Sequence, residues 1–334
     1  MAAPGVRRLA LAATMLFPPS VMGEPNTLLV IAGIGGEGRF RDVFYEQAVS
    51  LATAAETRLG LAAAQVHCLT ENPERDPAMI DGPSTREEIA RVLESIAAES
   101  QSGAVFIVLI GHGSYRSGEA RFNLPGPDLT PALLAAWLAP LSHREVVVIN
   151  TASASGAFVR ELSGQRRVVV TATKSGHERN ETMFGEYFIA ALIGDVADVD
   201  KDGRASVLEA FEYARTEVAR FYETENRLQT EHAVLDDDGD STGTDAPAAR
   251  GAGDGGLAAR VFLASPVGDR ARAATVMSDP ALAGLYAERD RIESLIEVLR
   301  TRKAELPPDE YADTLEALIL ELALMNESIE KRTP

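Results

Sequence analysis

AVFIVLIGHGS, residues 104–114, is the stretch whose reading decides the fold. Seven consecutive apolar residues, Ala104 to Ile110, rich in Val and Ile, predict a strand buried on both faces. The run stops at Gly111 and presents His112 between two glycines. In open α/β sheets ligands sit outside the carboxyl ends of the strands, so an imidazole delivered there stands in a site position. The pattern recurs at EVVVINTASASGAF, Glu145 to Phe158, a second buried strand that ends in small hydroxyl residues. His112 and Ser153 are therefore expected to face each other across neighbouring strand ends.

Outward from this pair, strand and helix patterns alternate. NTLLVIAGIGG and AAQVHCLTE read as strands before residue 104, RRVVVTATKSG as one after residue 158, and AARVFLA, near Arg260, as the last. Between them FYEQAVSLATAAETRLGL, STREEIARVLESIAAES with Ser84 at its start, a helix holding Trp137, ETMFGEYFIAALI and ASVLEAFEYARTEVARFYE have helical periodicity. The fold class expected is α/β, a mostly parallel six-stranded sheet flanked by helices, over residues 24–266. Within it, DDDGDSTGTDAPAARGAGDGG at 236–256 has no apolar periodicity and is expected to be a mobile acidic, glycine-rich loop.

Residues 278–334 have a different character. Leu285, Ile292, Leu299 and Leu306 are seven apart, and Tyr311, Leu315, Leu318, Leu322, Met325 and Ile329 alternate steps of four and three. These are coiled-coil spacings, with Pro307 and Pro308 as helix stop and start. The expectation is an antiparallel helical hairpin that packs on itself or associates with another chain.

A formal charge of -18 argues against nucleic acid or an anionic membrane surface as partner. At the N-terminus MAAPGVRR is basic, LALAATML is apolar and PPSVMGEP supplies a turn and small residues, the grammar of a signal peptide over residues 1–23. Export to the periplasm or outside the cell is the expectation, with no membrane span. The single cysteine, Cys68, lies in a short apolar run and is expected to be a buried structural residue.

Two further motifs stand out. Gly33, Gly35 and Gly38 match G-x-G-x-x-G, with Glu71 ending the next strand, and a tight strand-to-helix turn accounts for the glycines better than a dinucleotide does. DVDKDGRASVLE, residues 198–209, matches a calcium loop. Asp198, Asp200, Asp202 and Glu209 would supply carboxylates to Ca2+, Arg204 its backbone carbonyl, Ser206 a hydroxyl or a water, and Gly203 the sharp turn. The segments before and after it read as the two flanking helices.

GHGS after one strand and A-S-A-S-G after the next resemble the caspase-like cysteine peptidases, and most closely the legumain family. His112, Gly113 and Ser114 match that family's histidine motif, and Ala152, Ser153, Ser155 and Gly156 match its nucleophile motif. The resemblance covers the chain from Thr27 to about Ala264 and implies a caspase-like fold that handles peptide or protein ligands. Ser153 stands where the family has its cysteine when counted back from the S-G pair; counting from the strand places Ala152 there instead. A serine hydroxyl, unlike a partly ionised thiol, needs a base placed at the moment of attack. The resemblance further implies substrate contacts from Asn150 or Thr151 and from Ser175, Glu178 and Arg179 in TKSGHERNET. Three functions follow: a hydrolase with His112 as base for Ser153 and the amides near Gly113 and Ser153 holding the oxyanion, a pseudopeptidase that binds peptides or a protein partner, and a calcium-responsive scaffold.

Overall fold

The computed structural model describes residues 25–264 except 195, 200–203 and 252, then 307–330 and positions 285, 288, 289, 291, 292, 295, 296 and 299. The expected leader, residues 1–23, lies outside the described residues.

The strands of the main sheet are β1 (Thr27–Ala32), β2 (Val66–Thr70), β3 (Gly82–Pro83), β4 (Val105–Ile110), β7 (Val146–Asn150), β8 (Arg167–Thr171) and β9 (Val234–Asp236). A hairpin of β5 (Gly113–Arg116) and β6 (Glu119–Phe122) stands apart from it. The main sheet runs β3-β2-β1-β4-β7-β8-β9, parallel throughout except for β9, which pairs antiparallel with β8. Strand order reverses between β1 and β4, so the switch point lies next to the strand that ends in His112.

Why the central strands read as unbroken apolar runs is plain from the two cores. Phe106, Val108 and Ile110 of β4 face one core, and Val105, Ile107 and Leu109 face the other. The first core is closed by helices α1 (Gly38–Thr57), α5 (Phe184–Ile193) and α6 (Val207–Thr224), and the second by α2 (Arg86–Ala98), α3 (Pro131–Leu138) and α4 (Val159–Leu162). Burying each such side chain contributes roughly 1.5–3 kcal/mol, which sets the register of every central strand.

The last strand is a correction. AARVFLA does not join the sheet: Ala258–Arg260 form a 3-10 turn, and Phe262 makes only an isolated bridge to Ser206. The edge belongs to Val234–Asp236, too short for a period-two signal to show. With the two-residue β3 the sheet therefore has seven strands rather than six. Helix α2 is capped by the Thr85 side chain, not by Ser84, which is fully buried. Within 236–256, Asp237 accepts from the amides of Gly255, Leu257 and Ala258, and Asp254 from those of Asp237 and Asp238. Cys68 is fully buried in β2, and burial pushes its thiol up to about 12, as an unreactive structural residue requires.

In the C-terminal region α7 (Pro308–Glu330) begins at a proline, whose missing N–H is harmless in the first turn. Of the expected seam, Tyr311, Leu315, Leu318, Leu322 and Met325 are half-buried in α7, Ile292 and Leu299 are buried, and the side chain of Ile329 and all of Leu306 lie outside the described residues. Arg291 lies 3.9 Å from Glu321, which ties the two runs together. Among the described residues no helix is long and apolar enough to cross a membrane.

Glu231, almost fully buried, accepts hydrogen bonds from the amides of Met183 and Phe184 at the start of α5 and from the Tyr222 hydroxyl. Truncating it strands those donors in the interior, and each such loss costs about 1–3 kcal/mol. Glu231→Ala is expected to lower unfolding free energy by about 3 kcal/mol in urea titration, against less than ~0.5 kcal/mol for the exposed Glu225→Ala.

Candidate functional site

Strands β4 and β7 are adjacent and parallel, with Leu109 opposite Asn150, so the loops that follow them emerge side by side. His112 and Ser153 line one crevice of about 140 Å³, together with Phe44, Thr151, Glu181 and Thr182. Of the two residues that could stand at the nucleophile position, Ala152 packs into the second core, while Ser153, also buried, lines the crevice.

The two loops touch more closely than any side chain would permit. A Cβ on Gly113 would lie 2.0 Å from the Ser153 carbonyl oxygen, so only glycine fits there. At that approach the Ser153 hydroxyl donates to the Gly113 carbonyl at 3.0 Å and accepts from the Gly113 amide at 3.3 Å. The hydroxyl proton is thus committed to a backbone oxygen. The amide expected to hold an oxyanion is committed to the hydroxyl.

The imidazole sits in an aromatic pair. Phe40 and Phe44, one turn apart at the start of α1, meet the His112 ring edge-on at centroid distances of 4.4 and 4.9 Å. Burial by these rings holds the His112 pKa below the usual 6.5; Glu181 and a hydrogen bond to the Gly35 carbonyl oppose the shift without cancelling it. The ring is neutral at neutral pH and makes no hydrogen bond to Ser153. The i, i+4 phenylalanines and the hairpin turn at Ser117–Gly118 (φ 53° and 83°), which folds β5 and β6 beside the crevice, are the parts that sequence reading missed.

Around the crevice the expected substrate residues divide. Thr151 lines it, with its hydroxyl donating to Leu109 O. Asn150 does not reach it: the residue is fully buried, and its side-chain oxygen accepts from the Ala152 amide. Ser175 and Glu178 serve the architecture of their own loop. Ser175 Oγ accepts from the His177 amide, and the Glu178 carboxylate accepts from the Lys174 and His232 amides. Glu178 Oε1 lies 2.6 Å from His232 Nδ1, and its carbonyl accepts from the Ala154 amide at 2.7 Å. Arg179 is exposed. Ala154 itself has φ 56°, a left-handed conformation that costs a non-glycine residue about 1–2 kcal/mol and turns the chain sharply after Ser153.

The glycine-rich turn after β1 is internally satisfied. The Gly35 amide donates to Glu71 Oε2 at 2.9 Å, so the group a pyrophosphate would need is occupied by the chain's own carboxylate.

In the expected calcium loop, Asp200, Asp202 and Gly203 lie outside the described residues. Glu209 accepts from the Val199 amide with one oxygen and from the Ser206 amide and hydroxyl with the other, drawing both ends of the loop together. Ser206 caps α6, and the Arg204 guanidinium covers the Phe262 ring. The carboxylate at the twelfth position is thus spent on the capping box of α6 and on the Val199 amide.

No protein-family model and no curated protein matches the chain. Solved structures do. The initiator caspase Dronc of Drosophila is 13% identical with a TM-score of 0.44, covering 71% of this chain and 91% of that one. Caspase-1 from Spodoptera frugiperda is 12% identical with a TM-score of 0.41, covering 71% of this chain and 96% of that one. The α/β architecture itself rests on the strand order and register described above.

Two measurements check this geometry. An NMR titration of the His112 ring is expected to give a midpoint below 6.5. Because the folded value is lowered, the stability tied to this group is complete above pH 6.5 and is lost as pH falls toward the folded midpoint. Gly113→Ala is expected to force the two loops apart and lower stability by about 2–4 kcal/mol in denaturant titration, since backbone atoms cannot yield as a side chain end can.

Proposed function

We propose that the protein is a caspase-like pseudopeptidase related to the legumain family, a peptide- or protein-binding module that keeps the crevice without turning over a substrate. One observation carries the reading: the Ser153 hydroxyl satisfies both its hydrogen-bonding roles on Gly113. A serine becomes a nucleophile only when its proton can pass to a base as it attacks. Here the proton faces a carbonyl, the imidazole is bonded to Gly35, and the oxyanion amide is filled. A family built around a thiolate needs less from its histidine, so a serine in that place inherits a base set for a different nucleophile.

Binding needs none of this. The crevice between the loops after β4 and β7 offers apolar walls from Phe44 and Met183 and polar groups at Thr151, Thr182 and Glu181, the mixture that holds an extended peptide. The signal-peptide grammar of residues 1–23 would send the module outside the cytoplasm, the C-terminal helices would serve association with itself or a partner, and the loop at 198–209 would take Ca2+. A hydrolase is the second reading, favoured by the presence of His112 and Ser153 in one crevice.

The discriminating experiment treats the purified protein with a fluorescent serine-reactive phosphonate, with and without calcium. Wild type is expected to label no more than Ser153→Ala. Stoichiometric labelling that disappears in Ser153→Ala would replace the binding module with the hydrolase.

A further inference from the structure

Three carboxylates gather at the free edge of the sheet, well apart in sequence from the 198–209 loop. Asp236 ends β9, and Asp238 and Asp240 follow at alternate positions; each places one oxygen within 4.8 Å of the other two. Asp238 and Asp240 are exposed, while Asp236 is fully buried. Acidic residues in a loop would by themselves mean nothing. The buried one is different.

Asp236 spends Oδ1 on the Ser163 hydroxyl at 2.9 Å, and its Oδ2 is buried without a hydrogen-bond partner. The backbone of Thr242 faces this carboxylate, yet the Thr242 amide donates to Asp240 at 2.7 Å. Among the described residues no lysine, arginine or histidine pairs with any of the three aspartates. An ionised carboxylate whose second oxygen is buried without a hydrogen bond is expensive, and two like charges beside it add to the expense. Such a group is neutralised by a proton or by a cation, and the convergence of three carboxylates favours a cation.

Placement favours an ion over a side chain. The Asp238 carboxylate is fixed by the Asp240 amide and the Asp240 carboxylate by the Thr242 amide, each through one oxygen, so each has another to offer. Two oxygens bound to one Ca2+ at 2.3–2.6 Å can lie up to about 5 Å apart, and the three carboxylate oxygens lie within 4.8 Å of one another. An all-oxygen set of anionic ligands selects a hard divalent cation. Next to it opens a cavity of about 600 Å³, lined by Asp238 and Asp240 together with Lys174, His232 and Arg250, which leaves room for waters to complete the coordination.

We propose that Asp236, Asp238 and Asp240 form a second divalent-cation site, selective for calcium, that fastens the antiparallel edge strand to the loop that follows it. The ion would neutralise the buried Asp236 and hold β9 against β8, whose next residues lead to Lys174 and Glu178 at the crevice side of the sheet.

The test is calcium binding by equilibrium dialysis on the full-length protein, comparing wild type with Asp238→Asn/Asp240→Asn and with Glu209→Gln. Both aspartates are exposed, so the double variant is expected to fold, with circular dichroism to confirm it. The double variant is expected to lose one equivalent of bound calcium, and Glu209→Gln to keep that equivalent. Unchanged stoichiometry and affinity in the double variant would overturn the site, as would failure of wild type to bind any calcium at millimolar concentration. Should the double variant fold poorly, Asp240→Asn alone is expected to weaken this equivalent at least tenfold, and an unaltered affinity there would equally refute it.

Discussion

The approach of Gly113 to Ser153 is the constraint on which the rest depends. Two parallel strands at the centre of the sheet end at the same level, and the loops beyond them meet backbone to backbone. Glycine makes the meeting feasible; the reciprocal hydrogen bonds of one hydroxyl then close it. The sequence pairs an imidazole with a hydroxyl; in three dimensions the hydroxyl closes on the backbone of Gly113. The histidine completes the picture from the other side, seated against Phe40 and Phe44 and bonded to Gly35 rather than to the serine.

The central strands and the placing of His112 and Ser153 in one crevice were legible because long buried runs carry a strong signal and because parallel neighbours must end together. Ala152 against Ser153 was not decidable from spacing, since a one-residue slip keeps the same motif; of the two, only Ser153 lines the crevice. The substrate role expected of Asn150 failed for a local reason. An asparagine at a strand end can turn its oxygen back to an amide two residues on, and this one does. The edge strand escaped because three residues carry no periodicity, whereas AARVFLA carried an apolar run that serves packing beside α6 instead of pairing.

Carboxylates do much of the organising outside the core. Glu71 closes the glycine turn, Glu231 starts α5, Glu209 gathers the 198–209 loop, and Asp237 and Asp254 order the stretch after β9. The stretch at 236–256 has no apolar periodicity, yet its aspartates hold turns by accepting backbone amides, which no hydrophobic pattern reports. An acidic chain of this kind holds many of its turns by its own negative charge, and Asp236 is where that arrangement leaves a charge unanswered.

Neutron diffraction from a deuterated crystal would show directly where the Ser153 hydroxyl deuterium points. The account predicts that it lies on the line to the Gly113 carbonyl, with the His112 imidazole outside hydrogen-bond reach of Oγ. A deuterium shared between Oγ and an imidazole nitrogen at about 2.6–3.2 Å would contradict it.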